Sequence, residues 1–217
     1  MRVLGSFALV VTLAACDSPI TYSGYQMEQY FPFDGLRTWE YVSTDTSLPY
    51  KLVATLDPSF TTEQGGEIQV FRVSYDRVCV TEDACTDEWV RDVLWSSDGT
   101  YGTRIWGFDT AGGTVSFDPS VQVTDGEMVA GASVVTDTGG DTWTSTFVGV
   151  ETCPVIWTQE WGDRCVHLHL DDGDGDDDGG SWVAGHYWVI TNYNVVGMEL
   201  TDDTGQWQLS YATYAVE

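Results

Sequence analysis

Residues 89–108 read Trp89-Val90-Arg91-Asp92-Val93-Leu94-Trp95-Ser96-Ser97-Asp98-Gly99-Thr100-Tyr101-Gly102-Thr103-Arg104-Ile105-Trp106-Gly107-Phe108. Two runs rich in β-branched and aromatic residues, Trp89–Ser96 and Gly102–Phe108, flank Asp98-Gly99-Thr100, whose acid and glycine suit a tight hairpin turn. The stretch is predicted as two antiparallel strands. Working outward, the same signature recurs at Thr38–Ser43, Tyr50–Asp57 and Glu67–Tyr75 on the N-terminal side. On the C-terminal side it recurs at Gly113–Phe117, Val129–Thr136, Asp141–Val150, Val155–Trp161, Arg164–Leu170, Trp182–Thr191, Val195–Asp202 and Gln206–Tyr214. Asp57-Pro58 and Gly65-Gly66 mark breaks between runs. No stretch longer than ten residues keeps a 3.6-residue period free of glycine, so helix should be minor. The expected fold is all-β, one antiparallel domain over residues 30–217.

Composition limits what such a domain can do. With 217 residues, 42% of them hydrophobic, the chain can bury a core. Thirty-four acidic residues against eight basic ones give a net charge of −26, a field that repels polyanions, and no basic cluster offsets it. Nucleic-acid binding and a polybasic membrane patch are both excluded on that ground. Ten Trp and eleven Tyr are compatible with an aromatic ligand platform, but their simpler use is filling and cross-pairing a curved sheet.

The N-terminus starts Met1-Arg2, runs apolar from Val3 to Ala15 and reaches Cys16. A positive start, a short apolar run and small residues before the cut read as a secretory signal over 1–15, too short for a membrane-spanning helix. Leu13-Ala14-Ala15-Cys16 resembles the bacterial lipobox, in which the cysteine is acylated and becomes the new N-terminus. The expectation is a lipid anchor at Cys16, a tether over 16–29 without apolar periodicity, and a location in the bacterial cell envelope. Export makes the even set Cys79, Cys85, Cys153 and Cys165 read as two disulfides with three possible connectivities, of which the local pairs 79–85 and 153–165 close the shortest loops. A four-cysteine zinc site lacks its C-x₂-C or C-x₄-C knuckle.

Tyr30-Phe31-Pro32-Phe33-Asp34-Gly35-Leu36-Arg37-Thr38-Trp39-Glu40-Tyr41 resembles the opening of a broad group of uncharacterised bacterial lipoproteins, which carry a Tyr-Phe-Pro, Gly, Trp, Tyr pattern. Phe117-Asp118-Pro119 with Gly126 and Gly131-Ala132-Ser133, then Val148-Gly149-Val150-Glu151 and Cys165-Val166-His167-Leu168, resemble its middle segments. Gly185-His186-Tyr187-Trp188, Val196-Gly197-Met198 and Gln208-Leu209 resemble its closing strands. The group's usual glycine-valine-glycine is here Asn194-Val195-Val196-Gly197. The resemblance implies a twisted antiparallel sheet, an open half-barrel similar to the lipoprotein-carrier folds, with no assigned activity.

Two constellations carry chemistry. His167 and His169, two apart on a predicted strand, share a face, and His186 lies on the next strand; if those strands pair, three imidazoles meet in a candidate zinc or copper site. A pair of histidines on a polar strand face is more often a solvated surface or lumen feature, and the H-x-H arrangement alone lacks specificity. In Asp171-Asp172-Gly173-Asp174-Gly175-Asp176-Asp177-Asp178-Gly179-Gly180, residues Asp174, Asp176, Asp178 and Gly179 match the start of a calcium loop. Position 12 falls on Gly185 where a glutamate is needed, and strands flank the stretch, so it also reads as a hairpin tip of mutually repelling charges. No G-x-S-x-G, H-E-x-x-H or phosphate-cradling loop occurs. The leading expectation is a non-catalytic, lipid-anchored envelope module whose sheet curves around a hydrophobic ligand or a partner surface. The alternative is a metal-dependent envelope enzyme using His167, His169 and His186.

Overall fold

A computed structural model describes residues 24–33, 37–45, 47–80, 89–110, 113–153, 164–173, 182–191, 194–200 and 207–214. Their strands are β1 (Tyr25–Gln26), β2 (Arg37–Ser43), β3 (Tyr50–Glu63), β4 (Ile68–Cys79), β5 (Trp89–Asp98), β6 (Gly102–Thr110) and β7 (Gly113–Thr124). There follow β8 (Glu127–Met128), β9 (Ser133–Asp137), β10 (Thr142–Thr152), β11 (Arg164–Asp171), β12 (Gly185–Ile190), β13 (Asn194–Leu200) and β14 (Trp207–Tyr214). The hairpin expected at Asp98-Gly99 joins β5 to β6, with the Asp98 carboxylate accepting from the Thr100 and Tyr101 backbone N–H groups at 2.8 and 2.6 Å. The expected strand Val155–Trp161 lies outside the described residues.

Twelve of these strands form one antiparallel sheet in the order β7-β6-β5-β4-β3-β2-β14-β13-β12-β11-β10-β9. Each half is a meander of neighbours, and the two halves are joined where the last strand pairs with β2, Trp207 opposite Ser43 and Tyr214 opposite Arg37. The sheet is single and antiparallel, as its sequence predicts, but curls further than a half-barrel into a nearly closed barrel. Its edges β7 and β9 meet at a seam without a backbone ladder. The Gln122 N–H donates across it to the Thr136 hydroxyl at 2.9 Å, and Phe117 packs edge-on against Trp143 at 5.4 Å.

Alternation decides which side chains go inside. Trp39 and Tyr41, Leu52, Ala54 and Leu56, Val73 and Tyr75, and Trp143 and Phe147 are buried in the core. Outward positions between them carry charge, including the cross-strand pairs Lys51–Glu40 at 2.5 Å and Arg72–Asp92 at 3.3 Å. Such exposed pairs contribute little stability but keep that face wet. Asn194 opens β13 at φ 67, a left-handed conformation that asparagine accepts better than most side chains.

Both barrel ends are stoppered by the chain itself. At one end the segment 24–33 crosses the rim: β1 pairs with β8, Phe31 stacks on Trp95 at 6.0 Å and Phe33 on Phe71 at 5.8 Å. The void left beneath, among Phe31, Trp39, Tyr41, Tyr75 and Trp95, measures about 10 Å³, room for a single water at most. At the other end Trp182, Val183 and Ala184 are buried, with Trp182 edge-on to Tyr75 at 5.5 Å and its indole N–H donating to the Asp109 carbonyl at 2.7 Å. This shortens the expected strand Trp182–Thr191: its first three residues are the stopper, and β12 begins only at Gly185.

The tether boundary also moves. Residues 25–29 were expected to be unpacked, yet Tyr25–Gln26 are in a strand and Met27 is 0% exposed. A single apolar residue in a polar context shows no periodicity, so the pattern missed a segment that packs by one anchor. Truncating a fully buried methionine leaves a cavity, so Met27→Ala should lower unfolding free energy by about 2–5 kcal/mol. Urea denaturation checks this; a change of a few tenths, as in an exposed linker, would show the segment is not part of the folded barrel.

Candidate functional site

β11 divides its side chains between two faces. Val166, Leu168 and Leu170 lie in the core, while His167 and His169 point outward. β12 runs antiparallel beside it, with His169 opposite His186 and His167 opposite Trp188. The two-residue spacing and the strand pairing thus bring the three expected imidazoles onto one outward patch. β13 adds Glu199 opposite His186.

On the other flank, β10 supplies a residue that periodicity hides. Trp143 and Phe147 face inward, and strict alternation would send Glu151 inward with them. A bulge at Val148 breaks the register between Phe147 and Gly149, so Gly149 faces His167 and Glu151 pairs with Cys165 on the outer face. One extra residue reverses every side chain after it. Alternating inward aromatics that stop short of a glycine are the only sequence trace of this.

The contacts form a chain. Glu151 Oε1 accepts from the Trp188 indole N–H at 2.6 Å and lies 3.1 Å from His167 Nδ1, off the ideal hydrogen-bond direction. His167 Nε2 lies 2.8 Å from His186 Nδ1. His167 stacks on Trp188 with ring centres 4.7 Å apart, and His186 on His169 at 4.3 Å with planes only 16° apart. His167 is 9% exposed, and its two histidine neighbours are half-buried. A carboxylate oxygen and an imidazole lone pair facing each other at such a distance would repel, so the His167 proton sits on Nδ1. Its Nε2 is then the acceptor and His186 Nδ1 the donor.

Burial pushes the His167 imidazole below its ordinary value, against the opposing pull of Glu151 and, more weakly, Glu199. His186 is lowered too, first by burial and then by His169 and His167, with Glu199 and Glu151 opposing. Both rings are therefore neutral near pH 7. Among the described residues no group of three or more His, Cys, Asp or Glu is arranged to hold a metal ion. The rings stack instead of aiming at one point, and His167 turns both nitrogens to protein groups.

Cys153 and Cys165 form the expected disulfide, which ties the end of β10 to the start of β11 beside Glu151. Cys79 ends β4, and Cys85 lies outside the described residues. So do Cys16 and the acidic residues Asp174, Asp176 and Asp178; the loop's described start, Asp171, accepts from the Gly173 N–H at 2.9 Å. Gly185, where a calcium loop would need its last ligand, opens β12 at φ 140, and a Cβ there would lie 2.2 Å from the Glu199 carbonyl oxygen. Glutamate cannot occupy that position. No protein-family model, curated protein or solved structure matches the chain.

Lowered histidine values carry a sign. The unfolded imidazoles, near 6.5, take up protons that the folded ones refuse, so the stabilisation present above that pH is lost as pH falls below it. Between about pH 7.5 and 5.5 the urea midpoint should fall, and His167→Gln should flatten that dependence. A wild-type midpoint that rises on acidification would contradict the burial of these rings.

Proposed function

We propose that this chain is a lipid-anchored module of the bacterial cell envelope that acts by surface contact and not by catalysis. The observation that carries the reading is the filling of the barrel at both ends by its own chain. Phe31 and Phe33 occupy one end and Trp182 the other, where a carrier of hydrophobic ligands would hold its cargo. Of the two modes open to a curved sheet, a partner surface is therefore favoured over an enclosed ligand.

The barrel's polarity supports a water-facing exterior. A membrane-spanning barrel turns an apolar band outward and keeps its polar residues inside. Here the arrangement is the reverse, with Leu52, Leu56 and Phe147 within and Glu40, Lys51, Arg72 and Asp92 without. Attachment then rests on Cys16 and the signal before it, and on the resemblance of residues 30–41 to bacterial lipoproteins. Gly24, the first described residue, is eight residues on from Cys16. At roughly 3.3–3.6 Å per residue, an acyl chain on Cys16 would hold the Phe31–Phe33 end within about 30 Å of the bilayer.

The alternative, a metal-dependent enzyme using His167, His169 and His186, is supported by the meeting of the three rings but not by their stacking. Cys16→Ala separates anchoring from fold. The wild-type protein should partition into detergent with an acylated N-terminal cysteine visible by mass spectrometry, and the variant should appear in the aqueous phase. Identical partitioning of the two would remove the anchor.

A further inference from the structure

The hairpin of β3 and β4 outruns its neighbours. β2 pairs with β3 only as far as Leu56, opposite Arg37, and β5 pairs with β4 only as far as Phe71, opposite Trp95. The part beyond projects beside the rim segment 24–33, and between the two lies an open groove of about 560 Å³, the size of a ligand site. Its walls are aromatic. Phe60, on the projecting part, leans on Phe71 across the ladder with ring centres 5.6 Å apart; Phe71 stacks on Phe33 at 5.8 Å, and Phe33 rests on Trp95 at 6.4 Å. The series starts in the core, where Trp95 is 4% exposed, and ends at Phe60, which is 49% exposed. Each ring is held by the next, so the outermost is presented to water in a fixed place, and little side-chain entropy is lost when a ligand covers it. The polar part of the lining is sparse. Gln29 and Gln69 supply amide donors, and Glu28 is the one charged residue of the lining among the described residues. Arg72 does not neutralise it, being on the other face of β4 and paired with Asp92 at 3.3 Å.

We propose that this groove docks a proline-rich segment of a partner protein, with a lysine or arginine beside its prolines. The proposal rests on the reading of the chain as a module that acts by surface contact, and names that contact. A polyproline II segment has no internal hydrogen bonds, so its carbonyls need donors, which the two glutamine amides offer. Its proline rings pack into aromatic-lined grooves, and because it is stiff and extended before it binds, docking orders little of it. Glu28, unmatched by any cation in the lining, calls for a basic residue on the ligand and repels an acidic segment or an anionic lipid head. Strand addition is the poorer mode here, because the free edge of β3 beside the groove carries Pro58, which has no N–H to give.

The test is a titration of the full chain in detergent micelles with a synthetic peptide of six prolines and an arginine at each end, followed through the ¹H–¹³C signals of the phenylalanine rings. The signals of Phe60, Phe71 and Phe33 should shift together and saturate at one peptide per chain. Phe60→Ala should weaken binding at least tenfold with the urea midpoint unchanged, and Phe60→Tyr should keep most of the affinity. Glu28→Gln should weaken binding about threefold and remove most of its salt dependence, and a peptide ending in glutamates should bind at least tenfold less tightly than the arginine peptide. Cys16→Ala should bind the peptide as the wild type does, so failure of the anchor and failure of the groove are read separately. Saturation that Phe60→Ala does not weaken, or none at about 1 mM peptide, would overturn the site. So would tighter binding of a neutral oligosaccharide than of the peptide, or, in phosphatidylcholine nanodiscs, loss of the Phe60 signal to spin-labelled lipid, which would give the aromatic shelf to the bilayer.

Discussion

Pairing of β14 with β2 is the contact on which the rest of the structure depends. It joins the last strand of the fold to the start of the first meander, and the Ser210 hydroxyl donates to the Glu40 carbonyl across a separation of 170 residues. Without it there would be two open meanders, each with one apolar face exposed to water. With it those faces close on each other, and Trp39 and Trp207, the largest fully buried side chains, meet a common interior. The Tyr41 hydroxyl, donating to the Val195 carbonyl at 2.9 Å, ties the same junction from within. Contacts so distant in sequence must pay loop-closure entropy before they stabilise anything, which places this domain among the slower-folding topologies.

Strand identity was legible because alternation and turn chemistry are local. Trp89–Ser96 and Gly102–Phe108, which the structure extends to Asp98 and Thr110, could be read from a glycine, an acid and two runs of aromatic and β-branched residues. The closure was not legible, since nothing in Gln206–Tyr214 names its partner, and a half-barrel and a nearly closed barrel use the same strands. Strand ends were underestimated where the sheet outruns the core. β3 continues through Asp57-Pro58 to Glu63, and its exposed second half has no apolar pattern to announce it. Met27 stoppers one end from a segment without periodicity and Trp182 the other from a run that reads as strand, so only the folded barrel shows their role.

The histidine patch shows the same division. That His167 and His169 share a face follows from the period of a strand, and their meeting with His186 follows from the adjacency of two hairpin strands. Glu151 needed the bulge at Val148, which inverts the parity on which any reading of β10 relies. Trp188 needed the register, because only the pairing of His167 with Trp188 puts the indole N–H within reach of the same carboxylate. Pairwise periodicity therefore found the imidazoles but not the groups that set their protons.

A closed barrel has no edges, whereas the seam leaves this one with two. β7 from Gly113 to Pro119 is mostly exposed, and on β9 the Val135 side chain is 64% exposed. Unladdered strands with protruding valines are templates on which another copy of the same chain can crystallise in one dimension. Proline at 119, with no N–H to offer, and acids at 118 and 137 interrupt those templates. The surplus of negative charge then acts over longer range: copies repel before their edges align. On this view the acidity that says so little about ligands has a colloidal purpose, keeping an incompletely sealed ring from becoming a filament.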